Sequence, residues 1–118
     1  MLRAVSFNVN GLRSCLRKGL EGFLSDLDAD IVMLQEIRIQ AADIDLSTLL
    51  QLYPYKYLNY GQKPGYSGTA ILSKTPLSKV IYESPELLYC DEGRYVFAQH
   101  ECGLTIASVY LPSGTSSD

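Results

Sequence analysis

The sequence predicts an α/β layered fold built around a mixed β-sheet. Three observations carry this. Short, continuously apolar runs suit buried strands, one amphipathic helical stretch separates the first two of them, and several strand-like segments with turn signals fill the second half. Leu2–Val9 is apolar and β-branched and ends at Asn10-Gly11, a turn signal, so it reads as a buried strand followed by a loop. From Ser14 to Leu27, the side chains of Leu16, Leu20, Phe23, Leu24 and Leu27 fall on one helical face, with Ser14 as N-cap. Gly19 and Gly22 each weaken that helix by up to about 1 kcal/mol. Ala29-Asp30 leads into Ile31–Leu34, apolar throughout and short enough for a buried parallel strand, which completes a βαβ unit. Ala41 to Leu52 reads as a second, shorter helix, begun near Asp43 or Asp45 and ended by Tyr53-Pro54. Tyr55–Tyr60 alternates as a strand does, Gly61–Ser67 is a loop, and Thr69–Ser73 is again a buried strand. Val80 to Leu88 is ambiguous because Pro85 argues against a central strand. Arg94–Gln99 and Leu104–Leu111 read as strands joined at Glu101–Gly103, and residues 112–118 form a small, polar tail.

At 118 residues and 13.1 kDa the chain has room for one domain. Apolar residues at 47% and charged residues at 19% exclude a disordered tail. No apolar stretch approaches the ~20 residues of a membrane span, and Asn8 and Asn10 come too early for a signal peptide, so no membrane association is expected. Cys15, Cys90 and Cys102 are widely spaced, with no Cys-x-x-Cys pair. They argue against a disulfide framework or zinc cluster and for a reducing, cytoplasmic setting. One histidine, His100, excludes mechanisms that need two imidazoles. With a net charge of −3, any polyanion site must be local and helped by a metal. Two helices are too few to cover a sheet whose strands are apolar on both sides. The chain is therefore expected either to dimerise through a sheet face or to belong to a longer protein.

The first candidate site is Asn8, Asn10 and Glu36. Parallel strands of a βαβ unit finish at one edge of the sheet, where ligands of open α/β sheets bind. That edge would gather one carboxylate and two amides, hard oxygen ligands that suit Mg²⁺. The residues alone allow a second reading, in which the asparagines cap a turn and Glu36 is a solvated strand end. Arg38 could hold a phosphate with its planar fork of donors, or it pairs with Glu36 or is a surface charge. In Lys63-Pro64-Gly65-Tyr66-Ser67-Gly68, glycine permits close backbone approach, and Lys63 and Tyr66 could touch a phosphate backbone; a mobile loop is the alternative. Tyr110, at a strand end before Pro112 and Gly114, could aim its hydroxyl into a cleft as a donor or a partial phenolate, or be one half-buried strand tyrosine among nine. His100 reads as structural or exposed, Asp26, Asp28 and Asp30 as a solvated helix end, and Arg13, Arg17 and Lys18 as an exposed helix face or a polyanion contact.

Five segments occur in order: Ser6-Phe7-Asn8-Val9-Asn10-Gly11-Leu12-Arg13, Asp30-Ile31-Val32-Met33-Leu34-Gln35-Glu36, Gly65-Tyr66-Ser67-Gly68, Glu92-Gly93-Arg94 and Tyr110-Leu111-Pro112-Ser113-Gly114. Together they resemble the exonuclease III / apurinic-apyrimidinic endonuclease family of the endonuclease–exonuclease–phosphatase superfamily. The resemblance implies a four-layered αββα sandwich of which residues 1–118 are a single partial domain, the N-terminal half. It implies a Mg²⁺-dependent (or Mn²⁺-dependent) hydrolase of DNA phosphodiesters, acting in base-excision repair on double-stranded DNA at abasic sites or 3′ ends. Glu36 and Asn8 would hold the metal with Asn10 close by, Tyr110 would be the catalytic tyrosine, and Arg38, Lys63 and Tyr66 would meet DNA. The family's Asn-x-Asp pair, later Asp and terminal Asp-His are absent from this sequence. A missing C-terminal half is therefore expected to complete the site, with the chain inactive alone. The competing expectations are a catalytically degenerate relative that binds nucleic acid or protein, and a phosphatase or phospholipase of the same superfamily.

Overall fold

A computed structural model of the chain describes residues 1–47, 50–61, 65–82 and 93–111. In chain order its elements are β1 (Ala4–Asn8), α1 (Leu12–Arg17), α2 (Leu20–Leu27), β2 (Ile31–Gln35), β3 (Tyr55–Asn59), β4 (Thr69–Ser73), β5 (Ser78–Ile81), β6 (Tyr95–Gln99) and β7 (Thr105–Val109). β1 and β2 pair in parallel, with Ala4 opposite Ile31 and Asn8 opposite Gln35, as the βαβ reading requires. β4 runs antiparallel between β2 and β3, giving a mixed four-stranded sheet of order β1-β2-β4-β3. A separate antiparallel sheet has the order β5-β6-β7, and the predicted hairpin joins its last two strands.

The second sheet is what makes the strands of the first apolar on both sides. Alternate residues of a strand face opposite ways. Val32, Leu34, Ala70 and Leu72 therefore pack under Leu12, Leu20 and Leu24 of the helices. Their neighbours Ile31, Met33 and Ile71 pack against Val96, Ala98 and Ile106 of the second sheet. Helix, sheet and sheet make three successive layers, and the mixed sheet finds its second cover within the chain.

Two helical expectations need correction. The single helix from Ser14 to Leu27 is broken into α1 and α2, because Gly19 adopts a left-handed conformation at φ 100°. Ser14 lies inside α1, whose N-cap is Gly11. The expected helix over Ala41 to Leu52 is absent among the described residues, which form turns there. Local side-chain bonds compete for the backbone: Asp43 Oδ2 accepts the Gln40 N–H at 2.7 Å, and Asp45 Oδ1 accepts the Ser47 N–H at 3.0 Å. β5 falls partly on the ambiguous stretch from Val80 to Leu88; Pro85 itself lies outside the described residues.

Tyr53 closes the helical side of the core. It is fully buried, and its hydroxyl donates to the Ala29 carbonyl at 2.8 Å. Tyr53→Phe keeps the ring and leaves that carbonyl unpaired, so urea denaturation should register a loss of about 1–2 kcal/mol.

Candidate active site

Parallel pairing in register brings the ends of β1 and β2 to one rim. Asn8 is the last residue of β1, and Glu36 follows Gln35, the last of β2. Asn8 Nδ2 donates to Glu36 Oε1 at 3.1 Å, and Asn8 Oδ1 accepts the Asn10 N–H at 2.8 Å. Asn10 thus contributes its backbone, which orients Asn8, while the residue itself is exposed. Glu36 is only 8% exposed although it lies at a rim.

The segment 36–38 is clasped from two sides. Gly11 N–H donates to the Glu36 carbonyl and Leu12 N–H to the Ile37 carbonyl, each at 2.8 Å. From the other side, Ile37 N–H donates to the Gly68 carbonyl at 3.1 Å and Arg38 N–H to the Ser67 carbonyl at 2.8 Å. Asn10, Glu36, Arg38 and Ser67 all have positive φ, between 48° and 58°. This conformation is uncommon outside glycine, and its concentration at one rim marks a backbone held by its surroundings. The Gly-Tyr-Ser-Gly loop has a packing reason as well: a Cβ on Gly68 would lie 2.5 Å from Ile37 Cγ1.

Tyr110 reaches the same carboxylate from the second sheet, where it follows β7. Its N–H donates to the Arg94 carbonyl at 2.7 Å, the Arg94 guanidinium lies 5.1 Å from its ring centroid, and its hydroxyl lies near enough to the Glu36 carboxylate to be influenced by it. Burial pushes the phenol above its usual pKa, the hydrogen bond to Glu36 and that carboxylate's charge add to the rise, and Arg94 and Arg38 oppose it. At neutral pH the group is a protonated hydrogen-bond donor, not a phenolate. Arg38 completes the cluster by pairing its guanidinium with Glu36 Oε2.

Three contributors to this arrangement had no role assigned from sequence: Gln35, Ser108 and Arg94. Gln35 Nε2 donates to Ser6 Oγ at 3.0 Å and to Ser108 Oγ at 3.1 Å, while the Ser108 hydroxyl donates to the Leu34 carbonyl at 2.8 Å. This polar rung ties β1, β2 and β7 together one residue before Glu36 and two before Tyr110. Its signal in the sequence is a polar pair, Gln35-Glu36, ending an otherwise apolar strand. The first member faces between the sheets and the second sits at the rim.

Other candidates separate from the cluster. Tyr66 is 54% exposed on the loop before β4, and Lys63 lies outside the described residues. His100 is structural: it is buried, and its Nδ1 accepts the Cys102 N–H at 3.1 Å. Asp28 pairs with Lys74, which holds its carboxyl below the usual range, and Asp30 accepts the Arg3 N–H at 2.8 Å. Arg13 donates to the Asp43 carbonyl at 3.3 Å, and Arg17 and Lys18 are exposed.

No group of three or more His, Cys, Asp or Glu able to hold a metal occurs among the described residues. The donors present are the Glu36 carboxylate and the Asn8 amide oxygen, which keeps one lone pair beyond its bond to Asn10. Hard oxygens of this kind fit Mg²⁺, which takes one or two carboxylates and retains several waters. They do not fit a soft metal.

A sequence profile of the endonuclease/exonuclease/phosphatase family matches residues 5–115. The chain belongs to this family. Among curated relatives, the exodeoxyribonuclease of Bacillus subtilis is 39% identical over 113 residues, which are 95% of this chain and 43% of that protein. The DNA repair nuclease APEX1 of Danio rerio is 31% identical over 117 residues, 97% of this chain and 37% of that protein. Among solved structures, an AP endonuclease from Archaeoglobus fulgidus superposes with a TM-score of 0.77 at 24% identity, over 95% of this chain and 42% of that one. The catalytic domain of Xenopus laevis APE2 gives 0.73 at 28% identity, over 95% and 46%. The family member described here thus spans less than half the length of the relatives it matches, and corresponds to the N-terminal portion of their fold. Its three layers are the corresponding part of the expected αββα sandwich.

Proposed function

We propose that this chain supplies half of the active site of a Mg²⁺-dependent DNA phosphodiester hydrolase, of the exodeoxyribonuclease or AP endonuclease type, acting on abasic sites or 3′ ends in DNA repair. The observation that carries this reading is the convergence of Asn8, Arg38 and Tyr110 on the Glu36 carboxylate at the strand rim. Relatives named exodeoxyribonuclease and DNA repair nuclease support the substrate class. Glu36 and Asn8 would hold Mg²⁺ or Mn²⁺, with Asn10 fixing the Asn8 amide. The bound cation would supply Lewis-acid stabilisation of the charge that develops on a phosphoryl oxygen.

The chain's own residues do the rest of the work at this rim. Tyr110, protonated and steadied by Arg94, would turn its O–H from Glu36 to a phosphoryl oxygen when a cation engages that carboxylate. Arg38 pairs with Glu36 and Arg94 lies over the Tyr110 ring, so this rim carries two positive charges and one carboxylate although the chain carries −3 overall. Lys63 and Tyr66 would lie along the DNA backbone, contacts that position without reading sequence. The group that activates water has no counterpart here and would come from a C-terminal half, so the chain alone would be inactive. Action in the cytoplasm is part of this proposal, and the free thiols of Cys15 and Cys102 are consistent with it.

The test is to fuse residues 1–118 to the part of the Bacillus subtilis exodeoxyribonuclease that lies beyond the match, and to assay nicking of an abasic duplex. The chimera should cleave with Mg²⁺ and stop with EDTA, while the 118-residue chain should not cleave. A folded chimera without Mg²⁺-dependent nicking, or robust turnover by the chain alone, would overturn the corresponding part of the proposal.

A further inference from the structure

The Arg38–Glu36 ion pair occupies the carboxylate that a metal would need, and this pair is built into the backbone. Both residues have positive φ, at 55° and 58°, on either side of the fully buried Ile37. Their backbone is clasped by Gly11 and Leu12 on one side and by Ser67 and Gly68 on the other. The two ends of the pair differ in freedom. The Glu36 side chain is 11% exposed, whereas that of Arg38 is 47% exposed. Arg38 can therefore leave into solvent with little loss of packing, while Glu36 is largely buried and held by Asn8 Nδ2.

We propose that Arg38 is the resident counter-ion of Glu36, which a divalent cation must displace, and that the displaced guanidinium becomes a ligand for a phosphate group at the same site. This rests on the reading of Glu36 as a metal ligand. A buried carboxylate with no positive partner is unfavourable, so a guanidinium keeps the metal-free site stable. The same charge repels an incoming cation and is attracted to an incoming phosphate. Arg38 thus weakens metal binding and strengthens phosphate binding. An arginine that merely orients Glu36 would strengthen both.

The difference in sign is the test, and it needs no catalysis. Mn²⁺ binding to the 118-residue chain is followed by electron paramagnetic resonance of the free ion. Inorganic phosphate is titrated calorimetrically into the Mg²⁺-saturated chain. Arg38→Gln and Arg38→Asn (the latter well suited to positive φ) should each bind Mn²⁺ about tenfold more tightly and phosphate about tenfold more weakly, a coupling of ordinary size between neighbouring sites. Arg38→Lys should stay close to the parent for both. Unchanged or weaker Mn²⁺ binding in the Gln and Asn variants, at unchanged melting midpoints, would overturn the proposal. Glu36→Gln separates the two levels of the argument: if it binds Mn²⁺ as well as the parent does, the metal-ligand reading itself falls.

Discussion

Glu36→Gln should weaken Mn²⁺ binding to the chain at least about 100-fold and lower cleavage by the completed enzyme about 10³-fold, while leaving the fold intact. The substitution preserves side-chain volume and one acceptor oxygen, so the contacts from Asn8 Nδ2 and the Tyr110 hydroxyl can persist. What disappears is the negative charge. If Glu36 and the Asn8 amide hold a divalent cation as proposed, the cation loses the charged ligand that this rim supplies, and part of the stabilisation of charge developing at the phosphate goes with it. The pair to Arg38 is lost too, but that side chain is half exposed and can be hydrated, so the thermal midpoint should move little. Metal binding by electron paramagnetic resonance, a thermal melt and abasic-site nicking by the chimera check the three parts of this expectation. Retained metal affinity would remove Glu36 from the centre of the site.

The rim was legible because of a topological rule. A parallel βαβ unit ends both its strands on one side, so Asn8 and Glu36 could be placed together from their positions at the ends of two apolar runs. The strands were legible for a similar reason, since a short apolar run bounded by turn residues has few alternatives. The split into two sheets was not. A strand buried on both faces has the same composition whether a helix or another sheet covers it, and only the long-range packing of Ile31 and Ile71 on Val96 and Ala98 decides. The false helix from Ala41 to Leu52 shows the limit of propensity: Asp43 and Asp45 were read as helix-initiating residues and instead hold turns. From its residue type alone Arg38 was read as a partner of Glu36 or a surface charge ahead of a phosphate ligand. Pairing with Glu36 and holding a phosphate are compatible only if the side chain moves, which one sequence cannot express. Arg94 received no role because its contact with Tyr110 spans neighbouring strands of a hairpin whose register fixes Tyr95 opposite Val109.

Gly93→Ala should be the most damaging single-methyl addition among the glycines at this end of the molecule. Gly93 has φ 63°, and a Cβ there would lie 2.7 Å from both the Asn59 carbonyl oxygen and the Gly61 nitrogen. Those are backbone atoms and cannot rotate away as a flexible side chain can. The segment they belong to is held besides: Asn59 Nδ2 donates to the Tyr95 carbonyl at 2.7 Å, and Gln40 Nε2 donates to the Gly61 carbonyl at 2.6 Å. The Gly93 carbonyl in turn accepts from Thr69 Oγ1 at 3.2 Å, so a shift to relieve the clash strains a buried bond. Left-handed strain of about 1–2 kcal/mol and overpacking of about 1–3 kcal/mol add to roughly 2–5 kcal/mol, a large part of the stability of a small domain. Gly19 is the control. Its φ of 100° carries comparable strain, but nothing lies within 4 Å of its Cβ position, so alanine there should cost only about 1–2 kcal/mol. Urea midpoints of the two variants measure the difference. The damage should also reach the site, because Gly93 directly precedes Arg94, whose guanidinium and carbonyl steady Tyr110. A Gly93→Ala chain as stable as the Gly19→Ala chain would mean that the approach of Gly93 to the β3 end is looser than these distances require.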